Sequence, residues 1–589
     1  MGEGGGGGRP TSTRYANRMT TPRTLTPVDA IADAHLAESA RLSPMEATTT
    51  GIVGHDDALD DLSPDGHAER ADLYRGTLRS LANATPADDT DVVTIAAMRE
   101  RLHLDIERYE AGEPLADLNN VASPLQSVRD VFDLMPTATL DHWHTIAQRL
   151  AAIPQALAGY RASLAYSAAK GLAPARRQVE IGVGQARDLA KSGSFFDTFA
   201  ASPTTPAPTT PTPAHDDVPP LTLPSSLQHD LTQAATRARE AYAETADFLA
   251  RELAPHAPEA DAVGRDRYAL ASRFHIGAEV DLEETYQWGL EQLNQINQEM
   301  REVAAAIVRP GASLDEAQAS LDRDPARRLR GPKALEEWMT EVSQEAMEAL
   351  ADVHFNIPEP ARRLECLVAP THTGVIYYTG PSEDFSRPGR MWWSIPEGVT
   401  ELTTWKERTT VYHEGVPGHH LQVATTTYRA AELNRWRRLG CWVSGTGEGW
   451  ALYAERLMDE LGFLADPGDR FGMLDSQRLR AARVVFDIGL HLGLSCPGEW
   501  GGGRWDAAKG WDFLRANYSA DDGFIRFELE RYLGWPGQAP SYKVGQRLWE
   551  AARDAARARA GSAFSLKDFH DRALALGSVG LDVLAAALG

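Results

Sequence analysis

The stretch that most constrains this chain runs over residues 412–422 and reads Tyr-His-Glu-Gly-Val-Pro-Gly-His-His-Leu-Gln. It places His413, Glu414, His419 and His420 within eight residues. Imidazole nitrogens and a carboxylate are ligands that a zinc-type ion prefers, and a further carboxylate can take a proton from water at such an ion. A fold that uses this chemistry has to bring these side chains towards one point.

Pro417 stands where a second ligand histidine usually stands. In common zinc sites the two histidines lie at positions i and i+4 of one helix, so that both reach the same ion. His419 and His420 follow His413 by six and seven residues, and seven residues of unbroken helix span ~10 Å, too far for a shared ion. Because proline interrupts helical hydrogen bonding, we expect a broken helix that folds the second histidine back. The sequence leaves open whether His419 or His420 is the ligand, and buried structural histidines are the alternative.

A later segment offers the carboxylate that this stretch lacks. It begins Gly-Glu448-Gly-Trp450 and continues to Glu455. Glu448 and Glu455 are seven residues apart and so share one helix face. We predict that Glu448 binds the ion and that Glu455 orients a ligand histidine. A solvated acidic face is the alternative, although Trp450 and its neighbours make the segment unusually apolar.

Composition and charge exclude several classes of protein. The chain has 589 residues, of which 43% are hydrophobic and 24% charged, as in soluble globular proteins with a sizeable core. No apolar run approaches the ~20 residues that a bilayer span needs, so we expect no membrane partner. A formal charge of −24 argues against a nucleic-acid partner, because phosphate binding needs a basic face.

The cysteines and the N-terminus bear on location. Cys366, Cys441 and Cys496 are far apart and odd in number, which favours a reducing compartment over a disulfide framework. The glycine-rich N-terminus lacks the apolar core of a secretory signal. We therefore predict a cytoplasmic protein.

Most of the chain carries the three- and four-residue apolar spacing of amphipathic helices. Residues 26–200 and 225–589 both show it, and we predict that 26–589 forms one continuous body. Residues 201–224 are rich in Pro and Thr and cannot form a helix or a sheet interior, so they are a loop or linker. They mark either a domain boundary or an insertion between two helices. Residues 1–25 are predicted to be a disordered tail.

One region departs from the helical pattern. Around residues 366–395, short runs rich in β-branched and aromatic residues are bounded by Gly and Pro and predict strands. The helical pattern is clearest in a stripe formed by Leu282, Tyr286, Leu290, Leu293, Ile296 and Met300. The sequence therefore predicts a mainly α fold with a small β-sheet just before the metal-type stretch.

Short segments spread over nearly the whole chain carry a family pattern. They are Leu42-Ser-Pro-Met-Glu-Ala, Asp61-Leu-Ser-Pro, Val263-Gly-Arg-Asp-Arg-Tyr, Tyr377-Tyr-Thr-Gly-Pro, Ser386-Arg-Pro-Gly, His413-Glu-Gly-Val-Pro-Gly-His-His, Glu448-Gly-Trp-Ala-Leu-Tyr, Asp487-Ile-Gly-Leu-His491, Arg531-Tyr532, Pro536-Gly-Gln-Ala and Ser541-Tyr-Lys-Val-Gly. These segments resemble the bacterial domain-of-unknown-function 885 family, whose fold is similar to zinc carboxypeptidases of the Taq type and, more loosely, to thimet oligopeptidases. The resemblance implies one large, mainly helical, metallopeptidase-like body with a deep cleft and a small sheet on its wall.

Several residues are candidates for contact with substrate. Tyr542 is similar in position to tyrosines that donate a hydrogen bond to the developing oxyanion in related peptidases. Tyr377 lies in the predicted edge strand 374–379, which could align an extended peptide, and an arginine in the following loop, Arg387 or Arg390, could hold a substrate carboxylate. Weaker candidates are His491, Arg531 and Lys543. For each of these positions a purely structural role is the alternative.

Together these features predict a zinc-dependent hydrolase that cleaves a peptide or amide bond in a carboxypeptidase-like manner. One zinc ion would be held by His413, by His419 or His420, and by Glu448, with Glu414 as the general base that activates a metal-bound water. The expected partner is a peptide or a small amide or ester. A metal-dependent esterase or amidase acting on a small metabolite is one alternative, and a catalytically inactive helical binding or scaffold protein is another.

Overall fold

The computed structural model describes residues 23–202, 221–369, 376–396 and 398–589 of the chain. Within these residues, helices dominate and strands are few and short, so the predicted mainly α, single-body fold is confirmed. Besides short 3₁₀ and π segments, the helices in chain order are α1 (Pro27–Leu42), α2 (Pro44–Thr50), α3 (Pro64–Ala82), α4 (Asp89–Ala111), α5 (Pro124–Asp130), α6 (Leu140–Ala169), α7 (Arg176–Ala190), α8 (Phe195–Ala201), α9 (Ser225–Phe248), α10 (Arg265–Ile276), α11 (Leu282–Ile307), α12 (Leu314–Arg323), α13 (Gly331–Leu350), α14 (Thr404–Glu414), α15 (His419–Tyr428), α16 (Ser444–Glu460), α17 (Pro467–His491), α18 (Ala507–Ala516), α19 (Asp522–Gly534), α20 (Ser541–Ala560), α21 (Leu566–Leu574) and α22 (Leu581–Leu588).

Five short strands form two small sheets in the described part of the chain. They are β1 (Arg328–Arg330), β2 (Leu364–Val368), β3 (Ile376–Thr379), β4 (Gly389–Trp393) and β5 (Glu401–Thr403). In the larger sheet β4 is central and lies parallel to β2 and antiparallel to β3, which confirms the sheet predicted near residues 366–395. Residues 374 and 375 of the predicted edge strand lie outside the described residues. The pairing of β1 with β5 was not predicted, because three-residue strands leave no readable alternation.

Local sequence features explain where helix α1 begins and which of its faces is buried. The hydroxyl oxygen of Thr26 accepts a hydrogen bond from the backbone N–H of Asp29, and the backbone N–H of Thr26 donates to the Asp29 carboxylate, which makes a capping box. Pro27 occupies the first helical position. The buried face of α1 includes Val28, Ala32 and Leu36. These three residues follow the three- to four-residue apolar spacing noted for this part of the chain. Along α11 the predicted stripe is buried except at the partly buried Leu290.

Arg23 anchors the chain just before α1. Its backbone N–H donates to the carbonyl of Ala431 at 2.8 Å. Its guanidinium contacts three carboxylates, those of Asp29, Asp88 and Asp91. The last residues of the predicted tail, 23–25, are thus tied to the helical body, whereas residues 1–22 lie outside the described part.

The helices on either side of the Pro/Thr-rich stretch pack in the same core. Phe196 of α8 and Tyr242 of α9 are both buried, with ring centres 5.3 Å apart. Helices α6 and α7 also pack against α9. These contacts favour an insertion between two helices over a domain boundary, and residues 203–220 themselves lie outside the described residues.

Close contact between α16 and α20 positions the metal-type residues. A side chain at Gly449 would place its Cβ 2.6 Å from the Cα of Gly545, and a side chain at Gly545 would approach the carbonyl oxygen of Gly445 at 2.2 Å. Because only hydrogen fits at these positions, the two backbones lie against each other. This contact brings Glu448 of α16 and Tyr542 of α20 to the same region.

Candidate metal centre

A sharp break between α14 and α15 sets the positions of the histidines. Helix α14 ends at Glu414, α15 begins at His419, and the peptide bond between Val416 and Pro417 is cis. The N–H of Gly418 donates to the carbonyl of Tyr412 at 3.0 Å. A Cβ at Gly418 would lie 1.9 Å from the carbonyl oxygen of His413, so only glycine fits the fold-back. The structure thus has a broken helix of the kind that Pro417 predicts.

His413, His419 and Glu448 converge after this break. Their possible ligand atoms all lie within 4.8 Å of one another. The Nε2 atoms of His413 and His419 lie 3.3 Å and 3.4 Å from the same oxygen of Glu448. No other group of three or more His, Cys, Asp or Glu ligands converges in this way in the described part of the chain. We call these three residues the metal cluster.

The facing acceptor atoms of His413 and Glu448 need a proton or a metal ion between them. His413 donates from Nδ1 to Glu455 at 2.8 Å, so a neutral His413 points the lone pair of Nε2 at the Glu448 carboxylate, which is also an acceptor. In the metal-free protein a proton fills this role. Burial opposes the charge, but hydrogen bonds to Glu448 and Glu455 raise the pKa of His413 to about 10. Burial likewise opposes ionisation of Glu448, but electrostatic attraction to His419 and hydrogen bonds with both histidines hold its pKa well below its usual range.

The spacing of the cluster fits zinc. Two imidazoles and one carboxylate are the ligand set of many catalytic zinc sites, where ligand bonds of ~2.0–2.1 Å in a tetrahedron put neighbouring ligand atoms ~3.3–3.4 Å apart. The two nitrogen–oxygen distances of the cluster, 3.3 Å and 3.4 Å, have this value. The side chains of His413, His419 and Glu448 are 6%, 10% and 19% exposed, so the cluster is nearly buried, with Glu448 as its most open member.

Glu455 lies where it was predicted to orient a histidine. It is buried, and besides His413 it accepts a hydrogen bond from the hydroxyl of Thr409 at 2.6 Å. A carboxylate behind a ligand histidine fixes the ring orientation and the tautomer that leaves Nε2 free. Thr409 thus holds Glu455, and Glu455 holds His413.

His420 lies outside the metal cluster, although the sequence left it open as a ligand. It is buried, its Nε2 donates to the carbonyl of Ala361 at 2.8 Å, and its Nδ1 accepts from the hydroxyl of Tyr378 at 2.9 Å. Successive helical side chains point ~100° apart, so His419 and His420 face different neighbours. Burial lowers the pKa of His420 to about 4. This histidine links α15 to strand β3.

The two adjacent histidines provide a matched pair of variants. We expect His419→Gln to weaken zinc binding by more than ~100-fold, because even partners outside the ligand set contribute 10–100-fold. His420→Gln should leave zinc affinity within ~10-fold of the wild type. Competition with a zinc-binding dye measures both constants, and circular dichroism checks folding. Stronger loss in His420→Gln than in His419→Gln would contradict the assignment.

Glu414 and Tyr542 both lie beside the metal cluster. Glu414 is buried next to His413, and no described residue donates a hydrogen bond to its carboxylate. Burial raises its pKa, opposed by the charges of the two cluster histidines. The ring of Tyr542 is nearly parallel to that of His413, at 19° with centres 6.5 Å apart. Its hydroxyl bonds to no described residue, and burial, together with the charge of Glu448, raises its pKa.

The predicted substrate residues of the sheet lie beside the site rather than in it. Tyr377 is 36% exposed on edge strand β3 and stacks on Trp392. Arg390 forms an ion pair with Glu365 across the sheet at 2.7 Å, which matches the surface-salt-bridge alternative. Arg387 donates a hydrogen bond to a neighbouring backbone carbonyl and forms no ion pair with a described residue.

His491, Lys543 and Arg531 are held by protein partners in the interior. His491 donates from Nε2 to the carbonyl of Tyr532 at 2.9 Å and accepts from the backbone of Val263, so both ring nitrogens are used. The ammonium of Lys543 is buried between two glutamine oxygens, and burial lowers its pKa to about 7. These partners favour the structural alternative for His491 and Lys543, and their contact with substrate stays a prediction. Arg531 pairs with Glu528 at 3.1 Å.

Three residues near the site were missed from sequence. Trp442 is 50% exposed, with its ring 6.2 Å from that of His419. Arg480 and Arg483 of α17 lie against the ring of Tyr542. The sequence carries a signal for the arginines, because positions 480, 483 and 487 follow a three- to four-residue spacing and so place charged residues on one face of a helix that is buried over most of its length.

Comparison with solved structures shows the fold. A candidate lipoprotein from Colwellia psychrerythraea is 22% identical, with a TM-score of 0.80 over 95% of this chain and 98% of that chain. A candidate lipoprotein of unknown function from Shewanella oneidensis is 15% identical, with a TM-score of 0.71 over 95% of this chain and 99% of that one. Neither is described as a metallopeptidase. No curated protein matches the chain, and no described helix is long and apolar enough to cross a bilayer.

Comparison with protein families agrees with the motifs noted in the sequence. The family described as bacterial protein of unknown function (DUF885) matches residues 44–588. This range includes the metal cluster, the small sheet and every helix from α2 onward. The chain therefore belongs to the DUF885 family.

Proposed function

We propose that this protein is a zinc-dependent hydrolase that cleaves a peptide or amide bond. The observation that carries the proposal is the convergence of His413, His419 and Glu448 at tetrahedral spacing, with the unpaired carboxylate of Glu414 beside them. The similarity expected between the fold of this family and zinc carboxypeptidases of the Taq type supports the same reaction class.

Each group of the site has a distinct task in such a reaction. His413, His419 and Glu448 would hold the ion, and Glu455 would keep His413 in the binding tautomer. Zinc, when bound, supplies a Lewis acid that polarises the scissile carbonyl and makes water more acidic. Glu414 would accept the proton of the attacking water and later donate it to the leaving amine. It suits this role because it lies next to the cluster and no described residue donates a hydrogen bond to its carboxylate.

Tyr542 would stabilise the oxyanion. Its ring lies along that of His413, and its phenol, which is protonated near neutral pH, has a hydrogen to donate. A donor whose bond strengthens as the carbonyl oxygen gains charge favours the transition state over the bound substrate. Tyr542 would therefore act on the carbonyl oxygen, while Glu414 would act on the water.

Metal content and a substrate screen test this proposal together. Protein expressed with added zinc should contain about one zinc per chain, as expected for tight sites of this type, and should hydrolyse one class in a library of dipeptides, N-blocked amino acids and esters. Protein stripped by chelation and tested without added metal is the control, and it should be inactive until zinc is restored.

Three outcomes distinguish the alternatives. Turnover of esters alone would assign a small-molecule esterase in place of a peptidase or amidase. Zinc binding without any turnover would favour a binding protein that has lost catalysis. Less than ~0.2 metal per chain, well below the tight occupancy of such sites, would contradict the metal-dependent reading altogether.

A further inference from the structure

Three arginines form a cluster around Tyr542, the tyrosine that lies beside the metal cluster. The guanidinium carbons of Arg483 and Arg480 lie 5.0 Å and 6.0 Å from the centre of the Tyr542 ring. Arg531 lies next to Arg483, since both donate to the same oxygen of Glu528, at 3.1 Å and 2.7 Å. We call Arg480, Arg483 and Arg531 the arginine cluster.

The described residues leave this cluster with an excess of positive charge. Arg483 and Arg531 share a single carboxylate, that of Glu528, and the other partner of Arg531 is a neutral amide. Arg480 forms no ion pair with a described residue and donates only to the hydroxyl and carbonyl of Ser476. Three guanidinium groups thus form ion pairs with one described carboxylate, and Arg480 also acts on the charge of Glu414, whose pKa it lowers against the effect of burial.

Burial makes the excess charge costly. Arg483 and Arg531 are 5% and 8% exposed, and one nitrogen of each, Nη1 and Nε respectively, has no hydrogen-bond partner among the described residues. A buried cation without a counter-charge destabilises a fold, so such an arrangement is typical of a site completed by an anion. Arg480 is only partly buried and gives the cluster its access to solvent.

We propose that the arginine cluster binds the free carboxylate at the end of the substrate. Arg480 would make the direct contact, because a guanidinium fork matches a carboxylate with two charge-assisted hydrogen bonds. Arg483 and Arg531 are positioning residues, which supply positive charge behind it. This inference rests on the proposed function and gives it a substrate class, namely short peptides or N-acylated amino acids with a free α-carboxylate.

The spacing sets how far the carboxylate lies from the scissile bond. The ring centres of His413 and Tyr542 are 6.5 Å apart, and the guanidinium carbon of Arg480 lies 6.0 Å from the centre of the Tyr542 ring. At ~3.8 Å per residue, one to three residues cover the longest span that these distances allow. The cluster therefore selects chains that end one to three residues after the cleaved bond.

A pair of ligands that differ only at the terminus tests this inference. Metal-free wild-type protein should bind N-acetyl-alanyl-alanine at least ~10-fold more tightly than its C-terminal amide, as measured by calorimetry, because charge-assisted bonds are about twice as strong as neutral ones. In Arg480→Ala the two ligands should bind within ~2-fold of each other, and Arg480→Lys, which keeps the charge without the fork, should fall between. The kcat/KM values of the zinc-loaded proteins for the best screened acid and its amide should show the same order.

Arg470→Ala is the matched control, since Arg470 lies on the same helix and pairs with Asp459 at the surface. It should keep the wild-type preference for the acid. Equal binding of acid and amide by the wild type would overturn this inference and leave the proposed function standing. Tighter binding of ligands with an acidic side chain, even when their C-terminus is an amide, would do the same. Zinc-loaded protein that hydrolyses neither the acids nor their amides would overturn the proposed function. The difference in binding between acid and amide would then show by itself whether the arginine cluster binds a carboxylate.

Discussion

Glu414→Gln is expected to retain zinc and lose at least ~100-fold in kcat/KM, because a positioned general acid or base contributes 10²–10⁴-fold. The amide keeps the size of the carboxylate but cannot accept the proton of water. The metal cluster does not include Glu414, so zinc content should remain about one per chain, as expected for a tight site. Elemental analysis and turnover of the best screened substrate measure the two quantities on the same sample.

Glu407→Gln provides the matched control for this change. Glu407 lies two helical turns earlier on α14 and is half-buried. It belongs neither to the metal cluster nor to the hydrogen-bond partners of that cluster. Its substitution should leave both zinc content and turnover close to wild type. Full activity in Glu414→Gln would remove the general-base role, and loss of zinc there would place Glu414 among the ligands instead.

Glu448→Ala is expected to lose both zinc and activity. Its oxygen lies 3.3 Å and 3.4 Å from the two histidine nitrogens and is the single carboxylate of the cluster. Without it two neutral imidazoles remain, and the affinity should fall by more than ~100-fold, beyond the loss expected for an outer partner. Dye competition gives the zinc constant, and the substrate of the Glu414 experiment gives the activity.

Glu460→Ala on the same helix is the control for Glu448→Ala. Glu460 pairs with Arg553 near the surface and is 55% exposed, so its removal should change neither quantity. Wild-type zinc affinity in Glu448→Ala would contradict the assignment of Glu448 as a zinc ligand. Lost activity with retained zinc would instead make Glu448 a substrate contact.

Most of the fold could be predicted because the apolar residues of an amphipathic helix recur every three to four positions. The face of α1 and the stripe along α11 follow from apolar spacing alone, and the three-stranded sheet follows from β-branched and aromatic runs. The ladder between β1 and β5 could not be predicted, because its pairing depends on a contact between segments about seventy residues apart rather than on local pattern.

The site was predictable in kind more than in detail. The ligand types and the helix break follow from the residues themselves, since Pro417 has to interrupt α14. The choice between His419 and His420 could not be made from spacing, because it depends on the direction in which α15 leaves the break. The sequence also did not show that His491 and Lys543 are enclosed by other helices, or that Arg480 approaches Tyr542.

Location and the chemical identity of the substrate remain predictions. All three cysteines are buried and unpaired, which is compatible with the predicted cytoplasmic location. Fractionation of the native host cells with an antibody against the protein tests this location.

A crystal structure of the zinc-loaded protein, recorded at the zinc absorption edge, tests the central claim most directly. The account predicts one strong anomalous peak per chain, within bonding distance of Nε2 of His413, Nε2 of His419 and the carboxylate of Glu448. Absence of a peak from crystals grown with zinc, or a peak held by other residues while this cluster stays free, would contradict it.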